Sequence, residues 1–78
     1  MPEVTEAHRA YKQADEDALL MRARARARLG RAIAAERKKN RTTQNDVAAE
    51  LGVVVEQVRR YEAAYRAWLK DHTEAELD

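Results

Sequence analysis

The stretch Leu29–Glu62, LGRAIAAERKKNRTTQNDVAAELGVVVEQVRRYE, decides the fold. A basic helical pattern runs into Thr43-Gln44, then a short amphipathic segment, then Leu51-Gly52-Val53 and a second amphipathic segment. Asn40, Arg41 and Thr42 interrupt the first pattern. Thr43, followed three residues later by Asp46, is a capping arrangement that starts a helix at Gln44. Val47, Ala48 and Leu51 fall on one face of that helix, which ends at Leu51 because Gly52 permits a left-handed turn. Val53 and Val58 then let the next helix dock back on the first.

Downstream, Val58, Tyr61, Tyr65, Trp68 and Leu69 occupy roughly a 100° arc of an α-helix. Their spacing predicts a helix from about Val55 to Lys70, about 24 Å long at 1.5 Å per residue. The opposite face carries Glu56, Arg59, Arg60, Ala63, Ala67 and Lys70. Two arginines and an acceptor beside small alanines suit close approach to a DNA major groove, because bulky neighbours would hold the helix off the bases. An ordinary solvated face has the same composition, and only the preceding helix and turn favour the first reading over the second.

Upstream, the chain is helical by propensity. Ala, Arg, Glu, Leu and Lys dominate, the single Pro is Pro2, and no β-branched residue lies between Thr5 and Ile33. RARARAR at 22–28 alternates like a strand, but Ala and Arg form helices far better than strands, so propensity decides for helix. Thr5 is expected to cap a first helix, and Asp15 or Asp17 can start a new one before Ala18-Leu19-Leu20-Met21. One rod over 5–39 and two helices broken near Asp15 or Gly30 both fit, since a helical Gly costs only about 1 kcal/mol. The expected class is all-α: a small helical domain with a long N-terminal helix.

The net charge of +1 hides a polarity along the chain. Residues 22–41 hold nine Arg or Lys against Glu36 alone, a balance of +8; residues 1–21 sum to −3 and the last eight to −4. A local cationic block of this kind collects phosphates and releases counterions, so any DNA affinity falls steeply with salt. The alternative is a solvated helix face.

Seventy-eight residues imply one domain, burying about 60 to 65 per cent of its unfolded surface and holding a small core unless the chain self-associates. The chain has no Cys, so disulfides and thiolate zinc sites are excluded; it also has no Ser and no glycine-rich phosphate loop. His8 and His72 stand alone near opposite ends, outside any metal-ligand spacing. Asp15, Glu16 and Asp17 point apart on a helix and suit capping or solvation. No enzyme, metal, cofactor or small-molecule substrate is expected. With no apolar run near 18 residues and no leader pattern, neither membrane spanning nor secretion is expected, leaving a cytoplasmic, nucleoid-associated protein as the default.

Residues 29–62 resemble the Cro and phage-repressor type of helix-turn-helix, also called the xenobiotic-response-element family. Ile33, Arg37, Thr43, Gln44, Val47, Ala48, Leu51, Gly52, Val53, Val58 and Glu62 stand at that family's intervals without a gap. The resemblance covers less than half the chain. It implies that Gln44 touches DNA, that the residues from 54 to 57 and Arg60 face backbone and bases, and that Arg37 pairs with Glu62 inside the domain. On that likeness Arg37, Gly52 and Glu62 are structural, and base readout falls on Val55, Glu56, Gln57, Arg59 and Arg60. Lys38, Lys39, Arg41, Thr43 and Gln44 would hold the DNA backbone.

The sequence departs from the family in two places. Val54 stands where members usually carry Ser or Thr, which removes a cap worth about 1 kcal/mol and a phosphate contact. Val54 and Val55 can instead meet thymine methyl groups or simply pack. Members also commonly close the helix with a Gly and add two more helices; here Ala63 and Ala64 carry it on. The missing wall is expected from Tyr11, Ala14, Ala18, Leu19 and Met21 packing on Tyr61, Tyr65, Trp68 and Leu69, within one chain or across a dimer. The expected organisation is a 1–28 helical extension, a 29–62 family-like core, and a 63–78 continued recognition helix with an acidic tail.

DVAAELGVVVEQVRRYEAAYRAWLK, residues 46–70, also looks like the DNA-binding end of bacterial sigma factors, in which a Leu-Gly-Val turn leads into an uninterrupted helix. Ile33, Arg37 and Thr43-Gln44 fit the repressor pattern better. The expected function is a sequence-specific DNA-binding transcriptional regulator of the repressor kind, from a phage, plasmid or bacterial system. It would work as a homodimer whose two reading helices lie about 34 Å apart on a palindrome. The competing expectation is a sigma-like or antitoxin-like protein-interaction module with secondary nucleic-acid binding.

Overall fold

A computed structural model describes all 78 residues and contains helices only. Helix α1 spans Pro2–Asn40, α2 spans Gln44–Leu51, α3 spans Val55–Asp71, and a 3-10 turn follows at Glu74–Leu77. No helix is long and apolar enough to cross a membrane.

The N-terminal pattern forms one rod. Pro2 opens α1, where its missing N–H costs nothing, with Glu3 in the first turn and Arg37, Lys38 and Lys39 in the last, each charge favourable toward the helix dipole. Thr5 is not a cap: it lies inside the helix, and its hydroxyl donates to the Met1 carbonyl at 3.2 Å. Neither Asp15 nor Asp17 starts a helix. Asp17 accepts from the Gln13 side chain at 3.0 Å along the exposed surface, and the backbone ladder runs on beneath it. The rod stops at Arg41, which takes the left-handed conformation at φ 56°. A non-glycine residue pays roughly 1 to 2 kcal/mol for that turn.

Gly30 marks where α3 crosses α1. A Cβ there would overlap the Tyr61 carbonyl oxygen and lie 2.8 Å from its carbonyl carbon and 2.9 Å from Tyr65 Cβ. The glycine therefore serves close approach of two helices, and α1 neither breaks nor bends away at it.

Two small apolar clusters flank the crossing. On one side Ile33, Ala48 and Val58 are buried, with Leu29, Val47, Val53, Val55 and Tyr61 packed around them; this cluster joins all three helices. On the other side Ala27, Trp68 and Leu77 are buried, with Tyr65 against them. The wall for α3 thus comes from Ala27, Gly30 and Ile33 of the same chain, not from the residues expected to supply it. Tyr11, Leu19 and Met21 are exposed, Ala18 is half-buried, and on α3 Leu69 is 40% exposed.

Helix α3 ends at Asp71, one residue past the expected Lys70, and the acidic tail after it folds back onto the helices. The Glu76 carboxylate accepts from the Thr73 N–H at 3.1 Å and from its hydroxyl at 3.3 Å, and Leu77 becomes fully buried. Trp68 Nε1 donates to the Thr73 carbonyl at 3.3 Å, while its ring stacks on His72 with centroids 3.9 Å apart. Arg28 donates to the Leu77 and Asp78 carbonyls, and Arg31 pairs with Asp78 at 2.8 Å and Glu74 at 3.3 Å.

The whole measures 59 × 26 × 16 Å with a radius of gyration of 16.9 Å. A compact chain of this length would have roughly 11.5 Å. The excess comes from α1, which projects beyond the head: every residue from Met1 to Asp17 is exposed.

Candidate nucleic-acid interface

The capping box predicted at Thr43 is present. Its hydroxyl accepts from the Asp46 N–H at 3.1 Å, and the Asp46 carboxylate accepts from the Thr43 N–H at 2.9 Å. The Thr43 backbone and hydroxyl hydrogen bonds hold the Asp46 carboxyl below the usual carboxylate range. Gly52 closes α2 at φ 70°, and its N–H reaches the Ala48 and Ala49 carbonyls. Nothing lies within 4 Å of where its Cβ would be, so this glycine is there for conformation and not for space. Val54 begins α3 with no side-chain cap and is 71% exposed.

One carboxylate ties the three helices together. Glu62 of α3, 7% exposed, accepts two hydrogen bonds from Arg37 Nη1 of α1, at 2.7 and 2.9 Å. It also accepts from Gln44 Nε2 of α2 at 3.4 Å. Breaking a charged, largely desolvated arrangement of this kind costs about 2 to 3 kcal/mol, discounted for the partial exposure of Arg37. Arg37 Nε is buried without a partner, so the guanidinium is used through one nitrogen only.

The connections continue to the surface. Gln44 Oε1 accepts from Arg59 Nε at 3.3 Å, Arg59 Nη1 reaches Glu56 at 3.4 Å, and Arg60 Nε lies 3.8 Å from the same carboxylate. Glu56, Arg59 and Arg60 have side chains 57, 58 and 65% exposed, on a face continued by the exposed Ala63, Ala67 and Lys70. Contacts at 3.3 to 3.8 Å between groups this accessible are worth little.

The remaining expected contact residues divide. Lys38, Lys39 and Arg41 are exposed at the end of α1 beside this face's supporting pair. Thr43 is exposed but its oxygen already serves the cap, while Gln44 is half-buried with both ends of its amide engaged inside the protein. Gln57 is half-buried, and Val55 packs into the Ile33–Ala48–Val58 cluster, which turns its methyls inward. The structure therefore gathers Glu56, Arg59 and Arg60 into one exposed patch and leaves Val55 out of it.

Three of the nine cations between residues 22 and 41 are already satisfied: Arg28 and Arg31 by the tail, Arg37 by Glu62. Hydrogen bonds to Asp78 and then Glu74 raise the Arg31 pKa above its already high ordinary value. Arg22, Arg24, Arg26, Lys38, Lys39 and Arg41 remain exposed and outside the ion pairs of the structure. At about 100° per residue, alternate arginines fall on opposite sides of a helix, so Arg22 and Arg26 form one edge and Arg24 the other.

Sequence reasoning missed this neutralising tail. The signals were Thr73 three residues before Glu76, and one leucine in an otherwise polar terminus. His72 Nδ1 lies 2.7 Å from Glu76, and that hydrogen bond, with the Thr73 backbone, lowers the Glu76 pKa. No three His, Cys, Asp or Glu residues gather as a metal-ligand set. A groove of about 470 Å³ between α1 and α2 is lined by Leu29, Ile33, Val47 and Leu51 together with Glu36, Asp46 and Glu50. Its three acids disfavour anionic ligands such as phosphate.

No family model, no curated protein and no solved structure matches the chain.

Proposed function

We propose that the chain is a sequence-specific DNA-binding regulator of transcription, in which α2, the Gly52 turn and α3 act as a helix-turn-helix and the exposed face of α3 enters the major groove. The observation that carries this reading is the patch of Glu56, Arg59 and Arg60. It is exposed, borders small alanines, and is held from beneath by the Gln44–Glu62–Arg37 connection. A groove-reading helix needs that combination: side chains free at their tips, on a helix whose angle to its neighbours is fixed.

In this reading Arg60 donates to a guanine edge, Glu56 and Gln57 contribute to base choice, and Arg59 exchanges its contact with Gln44 for the duplex. Lys38, Lys39 and Arg41 hold phosphates. Two copies joined as a homodimer would present two α3 helices to one duplex in the cytoplasm. A gel shift against random genomic fragments at two salt concentrations tests the proposal. Discrete enriched sites that persist at the higher salt support it, and sequence-blind binding abolished by salt rejects it.

A second reading, a sigma-like or antitoxin-like interaction module, is favoured by one feature. Glu56 lies beside both Arg59 and Arg60, which leaves the patch mixed in charge and suited to a protein surface. Glu56→Ala separates the two: it strengthens binding to duplexes of any sequence if the arginines meet phosphates, and weakens capture of a protein partner if the mixed patch is the recognition element.

A further inference from the structure

The first half of α1 is a helix without a support. Every residue from Met1 to Asp17 is exposed, and Val4, Tyr11 and Met21 are 57, 71 and 70% exposed. Tertiary packing, the main source of helix stability in proteins, is absent over this stretch. Its apolar positions are ordered nonetheless. Val4, Ala7, Tyr11, Ala14, Ala18 and Met21 follow one another at intervals of three, four, three, four and three, the alternation of a coiled-coil seam. At about 100° per residue this seam lies roughly 130° around the axis from the Ala27–Gly30–Ile33 face that holds α3. Leu20 points elsewhere, lining a hollow beside Trp68 and His72. Met21, at the end of the seam, borders the head in a hollow with Trp68, His72 and Glu76, so a partner on the seam would run clear of the head up to Ala18 and reach its edge at Met21.

We infer that the seam binds the same seam of a second copy, antiparallel, making a dimer joined through the N-terminal halves of α1. Charge selects the orientation. Residues 1–21 sum to −3, and the cationic stretch begins at Arg22. In a parallel pair the arginines from 22 to 28 of both chains would lie side by side and repel. In the antiparallel pair, with the two-fold axis between residues 12 and 13, Glu3 lies beside Arg24 of the second copy and His8 beside Asp15. Size agrees with charge: Val4 faces Met21 of the second copy, Ala7 faces Ala18, and Tyr11 faces Ala14, so a large ring meets a small side chain. A parallel pair would stack Tyr11 on itself.

The arrangement has a geometric consequence, which alone rests on the DNA-binding reading. The α1–α3 crossing at Gly30 lies about 26 Å from the axis at 1.5 Å per residue, so the two heads sit about 52 Å apart along the rod. That exceeds the 34 Å expected from the sequence for a one-turn palindrome, and half-sites would be spaced by more than one turn.

The absence of cysteine makes a clean test possible. Full-length chain carrying Val4→Cys is mixed with full-length chain carrying Met21→Cys under a glutathione redox buffer, with sedimentation of the unmodified protein alongside. The inference expects a dimer in sedimentation and a disulfide formed in the mixture but not in either variant alone. Disulfides within each variant alone mean a parallel pair and overturn it, as does a monomer at 100 μM, roughly the upper end of working concentrations. Ala14→Glu, at an exposed position of the single chain, should weaken the dimer at least tenfold while leaving the thermal unfolding of the head unchanged; an unaltered dimer also overturns it. None of these readouts involves DNA, so failure here is distinct from failure of the DNA-binding reading.

Discussion

The two halves of α1 share one backbone ladder but carry opposite charge, and different physics holds them. From Leu20 onward the helix is wedged against α3 and the tail, with Ala27, Gly30 and Ile33 buried and Arg28, Arg31 and Arg37 tied to partners across the fold. Before Ala18 nothing within the chain touches its side chains except their own neighbours, and only local terms favour helix: propensity, Pro2 and Glu3 at the start, and the Gln13–Asp17 hydrogen bond. A head is therefore fixed by tertiary contact, while an arm is ordered locally and open to assembly. Stability resides in the first and shape in the second.

The comparison breaks most severely at Gly30. Gly30→Ala gains helix propensity but drives a methyl into the Tyr61 carbonyl, so we expect a loss of about 3 kcal/mol or more by chemical denaturation, against a gain from propensity of about 1. Improved stability would mean that α3 does not cross there. Glu62→Ala should follow, at about 2 to 3 kcal/mol, because it strands Arg37 and releases Gln44 together. Thr43→Ala should cost about 1 kcal/mol through the α2 cap. In the arm, Leu19→Ala should change head stability by less than about 0.5 kcal/mol; a core-sized loss would show that the arm is packed.

Acid sharpens the same contrast. The folded-state pKa values of Asp46 and Glu76 are both lowered, so each contributes stability that is fully present above the ordinary carboxylate pKa and is lost as pH falls through the folded value. Thermal midpoints should be flat near neutrality and fall below about pH 4, with the α2 cap and the His72–Glu76 clasp failing first. Asp46→Asn should flatten part of that fall.

Legibility in the sequence follows the same division between local and distant causes. The α2 start and stop were readable because Thr43, Asp46 and Gly52 act within one turn of the chain. The all-helical class was readable from composition. Whether α1 broke at Asp15 was not, since a cap and a solvated helical carboxylate are the same residue in two backbones, and here the ladder simply continued. Gly30 reads in the sequence only as a helical cost and an undecided break, because its reason is a backbone more than thirty residues away. The buried side of α3 was read correctly at Val58 and Trp68 but not at Leu69, because the crossing at Gly30 turns the helix so that Trp68 faces Ala27 and Leu77. The acidic terminus was legible as charge and not as structure: its order depends on Leu77 finding a site that exists only after α1 and α3 meet. In the candidate site, the exposure of Glu56, Arg59 and Arg60 followed from periodicity, whereas the inward turn of Val55 and the double engagement of Gln44 did not.

We propose that the exposed face of α3 reads bases while the end of α1 holds phosphates. The most direct test compares Arg60→Ala with Lys39→Ala by selecting bound sequences from a random duplex pool. Arg60→Ala is expected to relax preference at one position, worth roughly 1 to 3 kcal/mol, whereas Lys39→Ala should weaken all sequences alike and lower the salt slope by about one. Equal losses on selected and random duplexes from both variants would contradict it.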